Sequence, residues 1–292
     1  MKDHYLRGVA GNSSARFIIV SSTDLVEKAR SIHHTSPIAT AALGRVLTAA
    51  AMLGVQTKGE GTVSLQVKGT NLIRSIFASA WSDGRVKGYI SDPEVHLPAN
   101  SKGKLDVGGA IGTDGELILI RDLGMKEPYV GRSGLVTGEI AEDLVHYFAS
   151  SEQQPSAIAL GVNLKEDGTV RSAGGLILQP MPGISDEDLN ALERAVNVMR
   201  PMSEMVASCA DTLQILEEVF SEMSWFVLDE GDVSFECDCS RDRIERALIS
   251  MGYGDLQHMI EEDKKADVSC HFCNKNYHFT EEELRRLLEE AH

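Results

Sequence analysis

The chain has 292 residues, of which 42% are hydrophobic and 5% aromatic, and its 28 basic and 44 acidic side chains give a net charge of −16. That length suits one large domain or two smaller ones, and the deficit of cations argues against non-specific nucleic-acid binding and against docking on an anionic membrane. The start, Met1-Lys2-Asp3-His4-Tyr5-Leu6-Arg7-Gly8, lacks the apolar run of a signal peptide, and no stretch reaches the length of uncharged apolar sequence that a membrane-spanning helix needs, so a cytoplasmic protein is expected.

The charge imbalance is local. Residues 1–180 hold 18 basic and 18 acidic side chains, whereas 181–292 hold 10 and 26. The shift marks a boundary near Pro180-Met181-Pro182-Gly183 and separates a neutral N-terminal domain (1–180) from an acidic remainder.

Along the first 180 residues the pattern is mixed. Ala15 to Val20 reads as a strand and Asp24 to His34 as a helix. Ser36-Pro37 is a start signal for a second helix, with Ser as cap and Pro at the first turn. That helix runs from Ile38 to Leu53 with Arg45 its one charge, so it is expected to be buried. After Gly61 the period becomes two: Thr62–Lys68, Leu72–Ala80, Arg85–Ser91 and Glu116–Arg121 are strand candidates separated by glycine turns. Glu139–Ser150 reads as a helix, and Ala157–Leu164 with Val170–Leu178 as a hairpin across Glu166-Asp167-Gly168. Strands grouped between helices predict an α+β domain with an antiparallel-rich sheet.

Residues 181–232 read as an acidic helical linker, with 12 acids against two bases, Arg194 and Arg200. Ser185 caps an amphipathic helix that Arg200-Pro201 breaks, and Ser203–Phe220 reads as a second helix with Cys209 inside it. Five of the ten methionines lie between Met181 and Met223; they suit either an adaptable partner surface or ordinary core filling. Excess like charge weakens such a segment standing alone. The last part, 233–292, reads as a small α+β domain: a Ser240-capped helix to Met251, a short helix over Asp255–Glu262, a hairpin of Val268–Cys270 and Asn276–Phe279, and a helix opened by the capping box at Thr280.

The chemistry lies in the cysteines. Cys209 stands alone and reads as a small buried apolar residue. The other four form two pairs, Cys237-Asp238-Cys239 and Cys270-His271-Phe272-Cys273, the second at a predicted turn. Four thiolates in this arrangement make a closed tetrahedral Zn²⁺ site, and a small domain would draw much of its folding energy from it. A Cys₄ iron–sulfur cluster is the alternative metal reading, and His258, His271 and His278 are further candidate ligands. Cysteines one residue apart can share one metal or bond to each other in a tight loop, and metal-bound thiolates react with peroxide. The sequence therefore permits both a purely structural site and a redox switch.

These residues carry a resemblance. Cys237-x-Cys239-Ser240, Cys270-x-Phe272-Cys273 followed by Asn274-Lys275-x-Tyr277-x-Phe279, the block Gln154-Pro155-Ser156-Ala157-x-x-Leu160-Gly161-Val162 leading to Ala173-Gly174-Gly175, Arg7-Gly8, and the Ile38–Leu53 helix together resemble the redox-regulated bacterial heat-shock chaperones of about 33 kDa, over essentially the whole chain. The resemblance implies an ATP-independent holdase, not an enzyme. It further implies that Cys237, Cys239, Cys270 and Cys273 bind one zinc in an inactive reduced state. Oxidation is then expected to form the disulfides Cys237–Cys239 and Cys270–Cys273, release zinc and unfold the linker, giving a client-binding form, commonly a homodimer. Cys209 lies outside that motif.

Other readings find less support. No phosphate-binding glycine motif follows a strand here, Gly131-Arg132-Ser133-Gly134 is not a nucleophile elbow, and His33-His34 with Asp24 is no recognisable triad. A zinc-ribbon nucleic-acid binder conflicts with 14 acids against eight bases in 233–292. A thioredoxin-like oxidoreductase would need its Cys-x-x-Cys to open a helix. A structural zinc-ribbon protein with a binding or enzymatic N-terminal domain is the alternative.

Overall fold

In the computed structural model, which describes residues 1–57, 59–101 and 103–291, the chain begins with a hairpin of β1 (His4–Ala10) and β2 (Ala15–Ser21), followed by α1 (Thr23–His33). Ser22, at the cap position of α1, makes no side-chain capping bond; Asp3 does this across the fold, its Oδ2 accepting from the Leu25 N–H at 2.7 Å. Asp3 is 4% exposed and its Oδ1 has no partner among the described residues. Burial pushes its carboxyl up to about 6, against the opposing pull of the backbone N–H groups of Leu25, Asp24 and Thr23.

Helix α2 (Pro37–Gly54) starts where the Ser36 cap and Pro37 predict, and every residue of it except Pro37 and Arg45 is buried. It is long and apolar enough to cross a membrane by length and composition, contrary to the sequence expectation, but it lies inside the fold. Its small residues let it pack against two sheets at once. Arg45 leaves this apolar helix through an ion pair with Glu139.

The sheets are antiparallel apart from one two-residue ladder. The elements that build the second are β3 (Thr62–Lys68), β4 (Ser75–Trp81), β5 (Arg85–Ile90), the short α3 (Val107–Ile111), β6 (Glu116–Asp122) and β7 (Tyr129–Gly134). Then come α4 (Ala141–Ser151) and the expected hairpin, β8 (Ala157–Leu164) and β9 (Val170–Pro180). Next are α5 (Asp186–Val198), α6 (Met202–Ser208) and α7 (Thr212–Val219), then β10 (Trp225–Asp232) and β11 (Ser234–Phe235). The first sheet has the order β10-β1-β2-β9-β8 and the second β11-β5-β4-β3-β6-β7, with β11 parallel to β5.

Two differences from the sequence reading fall in 181–232. The helix expected over Ser203–Phe220 is two helices, because Asp211 turns its carboxylate to the Gln214 N–H at 2.9 Å and so starts α7 afresh. Cys209 consequently caps α6 in extended backbone, half-buried, and is not in mid-helix. Residues 225–232, read as part of an acidic helical linker, form the strand β10, which pairs with β1. The helices α5 to α7 cover one face of the first sheet, and a continuous apolar cluster joins Leu6, Phe17, Leu176 and Leu178 to Leu192, Met205, Ile215 and Phe220. Of the linker methionines, Met202 and Met205 are core residues at 2% and 0% exposure. Helix α6 comes so close that a Cβ on Gly161 would lie 2.4 Å from the Ser203 nitrogen, and Ser172 Oγ donates to the Ser203 carbonyl at 2.7 Å.

The chain divides into two units, Met1–Glu236 and Cys237–His292. The second holds α8 (Arg241–Met251), α9 (Tyr253–Glu262), the hairpin β12 (Lys265–Ser269) and β13 (Asn276–Thr280), and α10 (Glu281–Glu290). The caps read from the sequence are present: Ser240 accepts from the Arg243 N–H, and Thr280 and Glu283 exchange capping bonds.

Candidate metal centre

All four paired cysteines meet at one place in the second unit. Their Sγ atoms lie within 4.8 Å of one another, with Cys237 and Cys270 3.7 Å apart and Cys239 and Cys273 3.4 Å apart. A tetrahedron of thiolates at about 2.3 Å from a central ion has edges of about 3.8 Å, so the four sulfurs are spaced to hold one metal ion. None is engaged in a disulfide.

Local backbone places them. Cys237 and Cys239 occupy the irregular segment between β11 and the Ser240 cap of α8. Cys270 and Cys273 sit on the turn between β12 and β13, where the Cys270 N–H reaches the Lys275 carbonyl at 3.0 Å and the Asn274 N–H reaches the Cys270 carbonyl at 2.8 Å. Asn274 takes the left-handed conformation (φ 55°) that this turn needs and that Asn tolerates better than most residues. Arg241 fastens the first segment to the second: its guanidinium donates to the His278 carbonyl and Glu283 and lies 4.3 Å from the Phe279 ring centroid. The surrounding core is small, built on Leu248, Leu256, Ile260, Phe279, Leu284 and Leu287, and the cysteines are part of it.

The sulfurs differ in electrostatics. Burial pushes the Cys237 and Cys273 thiols up. At Cys239 burial acts in the same direction, but hydrogen bonds from Tyr277 and from the Cys273, Cys237 and Cys270 thiols outweigh it and bring the thiol down to about 7. The Tyr277 hydroxyl donates to Cys239 Sγ at 3.2 Å, and this bond holds the Tyr277 phenol up at about 12. Deprotonated, the four sulfurs are ligands for one metal ion, and Cys239 is the one whose charge a side-chain hydroxyl shares.

The histidines weighed as ligands do not join the cluster among the described residues. His278 pairs with Asp267 at 2.7 Å and His258 with Glu262 at 3.4 Å. His33, from the unsupported triad, hydrogen-bonds the Gly88 carbonyl at 3.0 Å. Sequence reasoning assigned no role to Arg241 or Tyr277. Tyr277 was visible within the motif after Cys273, but nothing in its spacing says that its hydroxyl turns back to Cys239.

Comparison with known proteins places these features in context. The family model described as Hsp33 protein matches residues 3–280. The 33 kDa chaperonin of Alkaliphilus metalliredigens (strain QYMF) is 44% identical over 291 residues, covering 99% of this chain and 100% of the relative. That of Oceanobacillus iheyensis is 42% identical, covering 98% and 99%. Among solved structures, the crystal structure of the 33 kDa chaperonin (heat shock protein 33 homolog) of Thermotoga maritima superposes with a TM-score of 0.91 at 37% identity, covering 99% of both chains.

Proposed function

The chain belongs to the Hsp33 family, and from that premise we propose that it is an ATP-independent holdase of the cytoplasm, switched on by oxidation. In the reduced state Cys237, Cys239, Cys270 and Cys273 hold one Zn²⁺, which when bound crosslinks two segments of a unit whose apolar core is small. The observation that carries this reading is the convergence of two short cysteine pairs on one point, with no further ligand needed.

Oxidation forms the disulfides Cys237–Cys239 and Cys270–Cys273. For each, two thiolates give two electrons to a peroxide, whose O–O bond breaks and takes up two protons to leave two waters. The donor set is thereby lost, and with it the stabilisation that metal binding adds to Cys237–His292. The helices α5 to α7 of this segment then leave the first sheet, while β10 stays paired with β1, uncovering the apolar face lined by Leu6, Phe17, Leu176 and Leu178. Unfolding proteins are bound there and on the released segment, the active form being a homodimer. The excess of acids in 181–232 keeps the opened protein soluble. A thiol cluster kept reduced until oxidants appear fits the cytosol.

The test couples two readouts on one sample. Zinc release is followed with a colorimetric chelator while light scattering reports aggregation of a heat-denatured client, before and after peroxide at mildly raised temperature. Release of about one zinc per chain with new suppression of aggregation is expected. Zinc that stays bound, or that leaves with no gain in suppression, would reduce the cluster to a structural staple.

A further inference from the structure

The four sulfurs form one donor set, yet their surroundings are not equivalent. The backbone N–H groups of Cys239 and Lys275 favour the ionised forms of Cys237 and Cys273. Both donors are amides two residues on, which the turn supplies whatever the side chains are. Cys239 draws on a side chain instead, the Tyr277 hydroxyl at 3.2 Å.

Tyr277 is well fixed for this task. It lies on β13 opposite Val268 of β12 and is 6% exposed. Its ring packs in the apolar cluster of the second unit, a role that phenylalanine would fill equally well. Lys275 Nζ stands 5.2 Å from the ring centroid, and a cation over the face draws electron density from the phenol and strengthens its O–H as a donor. A hydrogen bond to a thiolate takes up sulfur charge and lowers its nucleophilicity, as outer hydrogen bonds do at metal centres.

We infer that Tyr277 is a positioning residue of the cysteine cluster: its hydroxyl orients Cys239 Sγ and holds that one sulfur back from electrophiles while the cluster is intact. The inference rests on the redox reading above and refines it, since it makes Cys239 slower to react than its exposure alone would allow. Removing the hydroxyl releases one sulfur and leaves the other three as they were.

The test is site-resolved alkylation of the reduced, zinc-loaded full-length protein. Iodoacetamide forms an S–C bond with loss of iodide, and mass spectrometry gives a rate for each cysteine, with bound zinc counted in the same samples. In Tyr277→Phe the rate at Cys239 is expected to rise about three- to tenfold, the share of a charge-assisted hydrogen bond lost as sulfur charge is neutralised. Cys237, Cys270 and Cys273 are the internal controls and should not move. Incorporation of 3-fluorotyrosine at 277, a stronger donor, should slow Cys239 below wild type. An unchanged Cys239, or an equal rise at all four cysteines, overturns the inference and leaves Tyr277 a packing residue. A wild-type protein that binds no zinc counts against the parent reading, whereas a zinc-loaded wild type with Cys239 unmoved in the variant counts against Tyr277 alone.

Discussion

Phe220→Ala separates docking of the linker helices from the chemistry of the cysteines. Phe220 closes the end of α7, is 2% exposed, and sets its ring 5.3 Å from that of Phe17 on the first sheet. Truncating such a side chain to alanine removes about 3–5 kcal/mol, from lost burial and from the cavity that remains. A single domain is stable by about 5–15 kcal/mol in total, so the loss is large against whatever holds α6 and α7 down. At about 1.4 kcal/mol per factor of ten, it corresponds to a hundredfold or greater rise in the open population of those helices. Phe220 lies in the first unit and the cysteines in the second. The reduced, zinc-loaded variant should therefore keep its metal while the amides of Met202–Val219 exchange about a hundredfold faster. If covering the sheet is what keeps the chaperone off, this variant suppresses client aggregation without oxidant. Fast exchange with zinc retained and no suppression would refute the reasoning.

Two further predictions follow from single contacts. Gly161→Ala places a Cβ 2.4 Å from the Ser203 nitrogen; it should lower protection of α6 in hydrogen exchange while Cys237–His292 is unaffected, and unchanged protection would show that α6 shifts freely on its seat. Asp3 has its carboxyl raised to about 6 by burial, so the folded state holds its proton more tightly than the unfolded chain. Its stabilising share is complete below the unfolded value near 4 and is lost as pH rises through 6, a fall of about 3 kcal/mol. Asp3→Asn should flatten the decline in urea midpoint between pH 4.5 and 7.5, read from the fluorescence of Trp81 and Trp225, and a decline as steep as wild type would place the burden on another group.

What the sequence disclosed depends on how local each feature is. Helix α2 was legible because its cap, its first-turn proline and its apolar run all lie within one segment. The β8–β9 hairpin was legible because its turn and alternation are contiguous. The cysteine cluster was legible in composition and spacing, and the fold brings together the four residues that were named. Strands β1, β7 and β10 were not. Strand β10 is an acidic sequence whose extended form is fixed by pairing with the N-terminal strand, as in the Leu6–Glu230 pair, and such a partner leaves no local trace. The split between α6 and α7 turns on Asp211 acting as a cap where it could also have been a surface residue in mid-helix. Tyr277 and Arg241 were missed because their roles are defined only by what they touch across the second unit.

The strand order of the first sheet has a topological consequence. The helices α5 to α7 run between β9 and β10, and both of these strands belong to the same sheet, with β2 and β1 between them. Once undocked, residues 181–224 are therefore a closed span, pinned at both ends about 14 Å apart across three strand spacings. Such a span cannot diffuse away, and its effective concentration over its own binding face stays high. Re-covering the sheet is then a first-order event independent of protein concentration, and any bound polypeptide must compete with a displaced segment that is always within reach. Shutting off would be set by the chain's own return, not by a search for a partner.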